Sequence, residues 1–291
     1  MLSAGFDAAP PERGNPTMPS NPDSSYVLGD TSHEHDRLIR QALILEPFTE
    51  RLLRDAGVGP GLRVLDIGSG AGDVAMMAAR LVGPSGAVVG VEREAATLSA
   101  ARARVAKAGI SNVRFVEADV AHVPSSEPYD AVVGRLILQY VPDPGAVVTS
   151  LAALVRPGGT MAFQDVWPNS LLLLNAHLPL RAKCAELMSR TFERSGVHMD
   201  MELVLFRALQ QAGLPAPNIR IEVPAGGDPN IAGWLYDLFA ALLPRMRRDE
   251  LDGAEIGDLY TLRSRLEAER VATNSFGACV GLVSVWSRKP D

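Results

Sequence analysis

From Arg63 onward, short apolar runs alternate with longer stretches in which apolar residues recur at helical spacing. Arg63–Ile67 reads as a buried strand, followed by a glycine-rich turn and a helix from about Gly72 to Val82. Ala87–Val91 is a second strand, and Ala95–Ala108 a helix that stops at Gly109. Val113–Glu117 is a third strand, and Ala131–Gly134 sits in a fourth. Pro144–Val155 is helical and stops at Pro157-Gly158-Gly159; Thr160–Val166 is the fifth strand. Strands alternating with helices predict a parallel sheet covered on both faces.

Both flanks follow other patterns. Upstream, Thr31 and Glu34 make a capping box, and Leu38, Ala42 and Leu45 follow at helical spacing. Pro47 is expected to open a second helical segment that ends near Gly57. Downstream, Leu180, Cys184, Leu187, Met188 and Phe192 mark one helical face, and Glu202–Ala212 is a further helix. Residues 229–272 read as two helices around Pro244 and Gly253. Phe276–Ser287 reads as one long final strand, the antiparallel partner of Ile219–Val223. Residues 1–25 hold five prolines among Ser, Asn and Asp, and read as a disordered tail.

The 291 residues are 47% hydrophobic and carry a net charge of −6, with no Lys/Arg-rich face. That argues against nucleic acid or an anionic membrane as the main partner. No run of apolar residues is long enough to span a bilayer, and no basic segment leads into an apolar one at the N-terminus. Cys184 and Cys279 are far apart and lack metal-type spacing, so neither a disulfide nor a metal site is expected. A cytoplasmic enzyme is the default reading.

The chemistry sits in Val64-Leu65-Asp66-Ile67-Gly68-Ser69-Gly70-Ala71-Gly72-Asp73. A strand runs into a turn with glycines at alternate positions and then into a helix, which leaves room for a ligand against the backbone. A dinucleotide fingerprint needs a third glycine where Asp73 stands. A pyrophosphate at this turn would also be repelled by Asp66, whereas S-adenosylmethionine brings an ammonium and a sulfonium and no phosphate. Glu92 at the end of the second strand, with Arg93 beside it, is placed to accept from ribose hydroxyls. Asp119, just past the third strand and followed by Val120, is placed to accept the amine of adenine. The three acids end successive strands and so converge on one sheet edge.

Through Val64–Asp73, Val91-Glu92, Ala118-Asp119-Val120, Tyr129–Val141 and Arg156–Thr160, the stretch from about Tyr26 to Trp167 resembles class I S-adenosylmethionine-dependent methyltransferases. It is similar above all to the small-molecule group that includes the ubiquinone and menaquinone biosynthesis enzymes. The resemblance implies an α/β fold: a Rossmann-like, seven-stranded, mostly parallel sheet with an antiparallel edge hairpin. It implies one methyltransferase domain over 26–291, with a helical cap from about 26–57, 168–200 and 226–272. It gives Gly68, Ser69, Gly70 and Gly72 the methionine half of the cofactor, Glu92 the ribose, and Asp119 with Val120 the adenine. Arg135 to Gln139 matches the segment that lines cofactor and acceptor. Glu92 stands where the family often has Asp, with a longer reach. The Asn-Pro-Pro-Tyr signature of base and amide N-methylation is absent after the fourth strand.

The resulting expectation is methyl transfer from S-adenosylmethionine to a small, partly apolar metabolite. The alternative is a protein of the same fold that binds the cofactor structurally or for a different reaction. Tyr26, in Tyr26-Val27-Leu28-Gly29, either covers the cofactor, its ring facing the sulfonium, or packs the first helix. Arg37 and Gln41 either reach the cofactor carboxylate or form a solvated helix face. His177 and His198 are weak candidates for a general base, histidines at such positions being more often structural. The acceptor atom and the oligomeric state, a homodimer included, are not written in the chain.

Overall fold

The computed structural model describes residues 32–124, 127–251 and 256–291, with the backbone alone over 32–40. The segment 1–25, Tyr26, Thr31 of the capping pair and the side chains of Glu34 and Arg37 therefore lie outside the described residues. The elements follow in order α1 (Ser32–Asp55), β1 (Arg63–Ile67), α2 (Asp73–Val82), β2 (Ala87–Glu92), α3 (Ala95–Lys107), β3 (Val113–Glu117), β4 (Tyr129–Arg135), α4 (Pro144–Ala153) and β5 (Val155–Trp167). Then come α5 (Ser170–Asn175), α6 (Pro179–Arg194), α7 (Met201–Gln211), β6 (Asn218–Glu222), β7 (Ala225–Gly226), α8 (Pro229–Arg248), α9 (Leu262–Ala272), β8 (Gly277–Ala278) and β9 (Gly281–Arg288).

Seven strands form one sheet in the order β3-β2-β1-β4-β5-β9-β6. β1 to β5 pair in parallel, and β9 runs antiparallel between β5 and β6, as the alternation and the expected hairpin required. Period-two alternation sends Leu65, Val132, Met161, Phe163 and Val283 to one face, under Leu151 of α4 and Leu205 of α7. Val64, Val88, Val133 and Ala162 point to the other, under Leu52 and Leu53 of α1 and Met77 of α2. A third core joins α5, α6, α8 and α9 through Leu171, Met188, Trp234, Leu238 and Leu266. Tyr140 and Val166, at the carboxyl ends of β4 and β5, pack against this helical layer. Within it Arg181 is wholly buried and donates to the Ala232 carbonyl at 3.0 Å, tying α6 to α8.

Two local expectations are overturned. Pro47 lies inside a continuous α1 and Pro244 inside a continuous α8, rather than at breaks. A proline removes the bond to the carbonyl four residues earlier. Here those carbonyls belong to Leu43, 66% exposed, and Ala240, also exposed, where water can take the bond. Phe276–Ser287 is likewise not one strand. Gly277–Ala278 pairs with Ala225–Gly226 in a small separate ribbon, and the chain breaks at Cys279-Val280 before Gly281 joins the main sheet. The break is fixed by the Gly281 amide, which donates to Ser170 Oγ at 2.7 Å.

Two helices, α4 and α8, start at side-chain caps. Asp143 accepts from the Ala146 amide at 2.9 Å with Pro144 in the first turn, and Asp228 does the same for Asn230 at 2.8 Å ahead of Pro229. After α8 the exposed Glu250 adopts φ 53°, a left-handed conformation that glycine takes without strain. Glu250→Gly is expected to stabilise the protein by about 0.5–1 kcal/mol, read as a higher urea midpoint at unchanged slope.

Candidate functional site

The turn from β1 into α2 is built by three glycines with φ of +59°, +50° and +87° at Gly68, Gly70 and Gly72. Two are held by packing. A Cβ on Gly68 would lie 2.6 Å from Ile137 Cγ1, and one on Gly72 would lie 3.0 Å from Phe115 Cζ. The middle glycine differs, because a Cβ on Gly70 meets nothing within 4 Å. Open space therefore lies against the backbone at Gly70, at the carboxyl edge of the sheet where ligands bind in such folds.

Glu92, at the end of β2, accepts from the Gly70 amide at 3.1 Å through one oxygen. Its other oxygen accepts from the amides of Arg93 at 2.8 Å and Glu94 at 3.2 Å. Three amides thus hold the carboxylate at the lip of the turn, and a carboxylate has about four acceptor positions. Asp119 lies on the next strand's extension, exposed, its Oδ1 accepting from the Ala121 amide at 2.8 Å. Val120 beside it is half-buried against the core.

Asp66 lies one layer beneath. It is 1% exposed, and neither carboxyl oxygen accepts a hydrogen bond. Burial pushes its pKa up to about 8, while the nearby Arg135 guanidinium and the Ala75 amide pull the other way without closing a bond. Ser69 is also buried, its hydroxyl without a partner. Two buried polar groups thus lack partners under one turn, where such groups normally find bonds.

Arg135 is mostly buried, and burial lowers its pKa against the pull of Asp73 and Asp66. It donates to Thr49 Oγ1 at 3.3 Å. Thr49 donates to Gln164 Oε1 at 2.6 Å, and Gln164 to Ser284 Oγ at 2.9 Å. On the other side, Arg104 donates to Asp73 at 2.6 Å and to the Ala71 carbonyl at 2.7 Å. A polar chain across one sheet face thereby locks the glycine turn to α1, α3 and β5.

The segment after β4 divides the site. Leu136 has φ 56°, uncommon for a bulky side chain, and its amide donates to the Gln164 carbonyl at 2.8 Å. Ile137 packs against Gly68 on one side. On the other, Leu136, Gln139 and Tyr140 line an internal pocket closed by Gln41 and Leu45 of α1, Phe192 of α6, Trp234 and Leu238 of α8, and Cys279 and Val280. Asp165 supports this segment from beneath. It is wholly buried, faced by the amides of Ile137, Leu138 and Gln139 without a closed bond, and burial outweighs those amides in pushing its pKa up to about 8.

His198 donates from Nε2 to the Val141 carbonyl at 3.0 Å, and its amide approaches the Gln139 carbonyl at 3.4 Å, so it pins the same segment. His177 is exposed, 2.9 Å from Ser275 Oγ, and lines neither cavity. The residues that the sequence reading passed over are Thr49 and Asp165, and it gave Leu136 no part beyond its place in the Arg135–Gln139 segment. Asp165 had a visible signal: an acid inside an otherwise apolar strand. No helix among the described residues is long and apolar enough to cross a membrane.

A family model described as a methyltransferase domain matches residues 59–210. The arsenite methyltransferase of Halobacterium salinarum is 38% identical over 112 residues, covering 38% of this chain and 29% of that protein. The ubiquinone/menaquinone biosynthesis C-methyltransferase of Pseudomonas paraeruginosa is 34% identical over 161 residues, covering 50% of this chain and 63% of that protein. The chain thus spans less than two thirds of the length of either. Among solved structures, the YcgJ protein of Bacillus subtilis superposes with a TM-score of 0.55 at 15% identity, over 84% of this chain and 98% of that one. At that identity the likeness is one of fold.

Proposed function

The chain belongs to the methyltransferase-domain family, and from that premise we propose that it moves a methyl group from S-adenosylmethionine to a small, partly apolar acceptor. The observation that carries the proposal is the pair of unpartnered buried groups, Asp66 and Ser69, beneath a glycine turn that is open at Gly70. Both groups can accept from an ammonium, and the Asp66 carboxylate, once ionised, opposes a phosphate.

S-adenosylmethionine, when bound, supplies an electrophilic methyl on a sulfonium. The residues of this chain position it. Asp66 and Ser69 would hold the ammonium end, Glu92 the ribose hydroxyls, and Asp119 with Val120 the adenine. Arg135 would act through the polar chain that fixes α1, with the cap of α1, α5, α6, α8 and α9 excluding water from the acceptor. Alignment and dehydration are asked to do most of the work, because no carboxylate, histidine or lysine lines the inner pocket among the described residues.

The pocket lining favours an organic acceptor over arsenite. Of the described lining residues only Cys279 carries sulfur, and burial pushes its thiol up to about 12, far from the thiolate that binds soft metalloids.

The first experiment is calorimetric titration with S-adenosylhomocysteine, with NADH as control. Micromolar binding of the former alone is expected. Glu92→Ala should weaken it by about tenfold or more, the cost of a charged hydrogen bond. An unchanged affinity would remove Glu92 from the ribose, and preference for NADH would return the turn to dinucleotide binding.

A further inference from the structure

Gln139 was expected with the cofactor set, but its place in the fold gives it another task. It is 2% exposed, its side-chain carbonyl Oε1 has no hydrogen-bond partner, and it lines the inner pocket beyond the Leu136–Ile137 step. Most of the rest of that lining is apolar: Leu45, Leu136, Val166, Phe192, Val197, Trp234, Leu238, Val280 and Leu282 carry no polar side-chain group apart from the indole N–H, and Gln41, Tyr140 and Cys279 are the exceptions. Among the described residues, no Lys, Arg, His, Asp or Glu lines the pocket.

Two physical consequences follow. A carboxylate or phosphate entering such a pocket would lose its hydration and meet no positive charge among the described lining residues, only neutral donors such as the Gln41 and Gln139 amides and the Tyr140 hydroxyl. A buried carbonyl left without a donor is itself costly, so a ligand that brings one donor recovers that cost, and a ligand that lacks it does not. From this we infer that Gln139 reads the acceptor: its Oε1 accepts a hydrogen bond from a hydroxyl or amine on an otherwise neutral, apolar molecule, and molecules charged at that end are refused. The inference rests on the methyltransferase reading for the word acceptor, and on the pocket alone for the chemistry.

The pocket floor makes Gln139 rigid enough for this. Its backbone carbonyl is approached by the His198 amide at 3.4 Å, and the turn that carries it is seated on β5 through the Leu136 amide and the Gln164 carbonyl. A fixed carbonyl discriminates by geometry as well as by pairing.

The test uses matched probes in calorimetric titrations of the full chain, with and without saturating S-adenosylhomocysteine. The pairs are phenol against toluene and 1-naphthol against 1-methylnaphthalene, each exchanging a hydroxyl for a methyl of like size; benzoate and 1-naphthoate add charge. The wild type should bind at least one hydroxyl probe about tenfold tighter than its methyl partner, and the carboxylates more weakly still. In Gln139→Met, which keeps the volume, that ratio should fall to about one, with S-adenosylhomocysteine affinity unchanged. Gln139→Leu repeats the measurement should the first variant fold poorly. A hydroxyl preference that survives both substitutions overturns the inference. So does a wild type that shows no such preference, binds none of the probes, or takes the carboxylates best. Loss of S-adenosylhomocysteine binding in the variants would return Gln139 to the cofactor. Failure of the wild type to bind S-adenosylhomocysteine would sink the cofactor reading alone, with the hydroxyl preference then read from the free protein.

Discussion

Titrated with S-adenosylhomocysteine at rising pH, the protein gains affinity up to about pH 8 and little beyond it. The cause is Asp66. Burial holds its folded-state pKa at about 8 against the ordinary 3.8, so the free protein carries it largely protonated at neutral pH. An ammonium seated beside it needs the ionised form, and binding must expel the proton below pH 8. The coupling can reach about tenfold in affinity per pH unit. Asp66→Asn removes this dependence. The variant should match the wild type near pH 6 and fall behind it by about ten- to a hundredfold near pH 8, the worth of a charged hydrogen bond. Equal slopes in the two proteins would take the ammonium away from Asp66.

The same shift enters the stability of the free protein. For Asp66, and for Asp165 which is also raised to about 8, the unfolded chain loses its proton first as the pH climbs. Stability from these groups is complete below the unfolded value near 3.8 and is lost as the pH rises through about 8. Melting temperature should therefore decline across that window, less steeply in Asp66→Asn, where Asp165 still titrates.

A methyl group added at Gly68 or at Gly70 gives the second large effect, and the two sites should fail in different ways. Gly68→Ala places a left-handed residue where its Cβ would sit 2.6 Å from Ile137. Strain of about 1–2 kcal/mol adds to an overpacking cost of about 1–3 kcal/mol. Movement of Ile137 also shifts the segment shared with the inner pocket, so stability and binding should both drop. Gly70→Ala pays the conformational strain alone, because its Cβ meets nothing within 4 Å. Its methyl instead enters the space assigned to the ligand, and binding of S-adenosylhomocysteine should be largely lost at a modest cost in stability. Urea denaturation beside calorimetry separates the two. Normal affinity in Gly70→Ala would move the ligand off the turn.

The parallel half of the sheet was legible because each strand is a short apolar run closed by Gly, Pro or an acid, and that punctuation is local. Glu92 could be placed at the glycine turn for the same reason, since register in a parallel sheet follows from strand ends. The misreadings at Pro47 and Pro244 came from treating a missing amide as a break. Whether a helix survives depends on whether water reaches the freed carbonyl, which is a tertiary fact. The split of the last strand at Cys279 was equally hidden, being set by Ser170 from a distant part of the chain. Asp165 was readable as an anomaly but not as a support, because the three amides that face it belong to a turn whose left-handed Leu136 has no sequence mark.

The helical layer keeps a hydrophobic core of its own, Trp234, Leu238, Met188 and their neighbours, apart from the two cores that flank the sheet. Substitutions there are felt mainly within the layer, and the turn at Gly68–Gly72 stays seated. New side chains can then be accepted in one half of the molecule while the other keeps its own packing. The family match takes in α5 and α6 and ends at residue 210, so α8 and α9 are the part of the layer that lies beyond it.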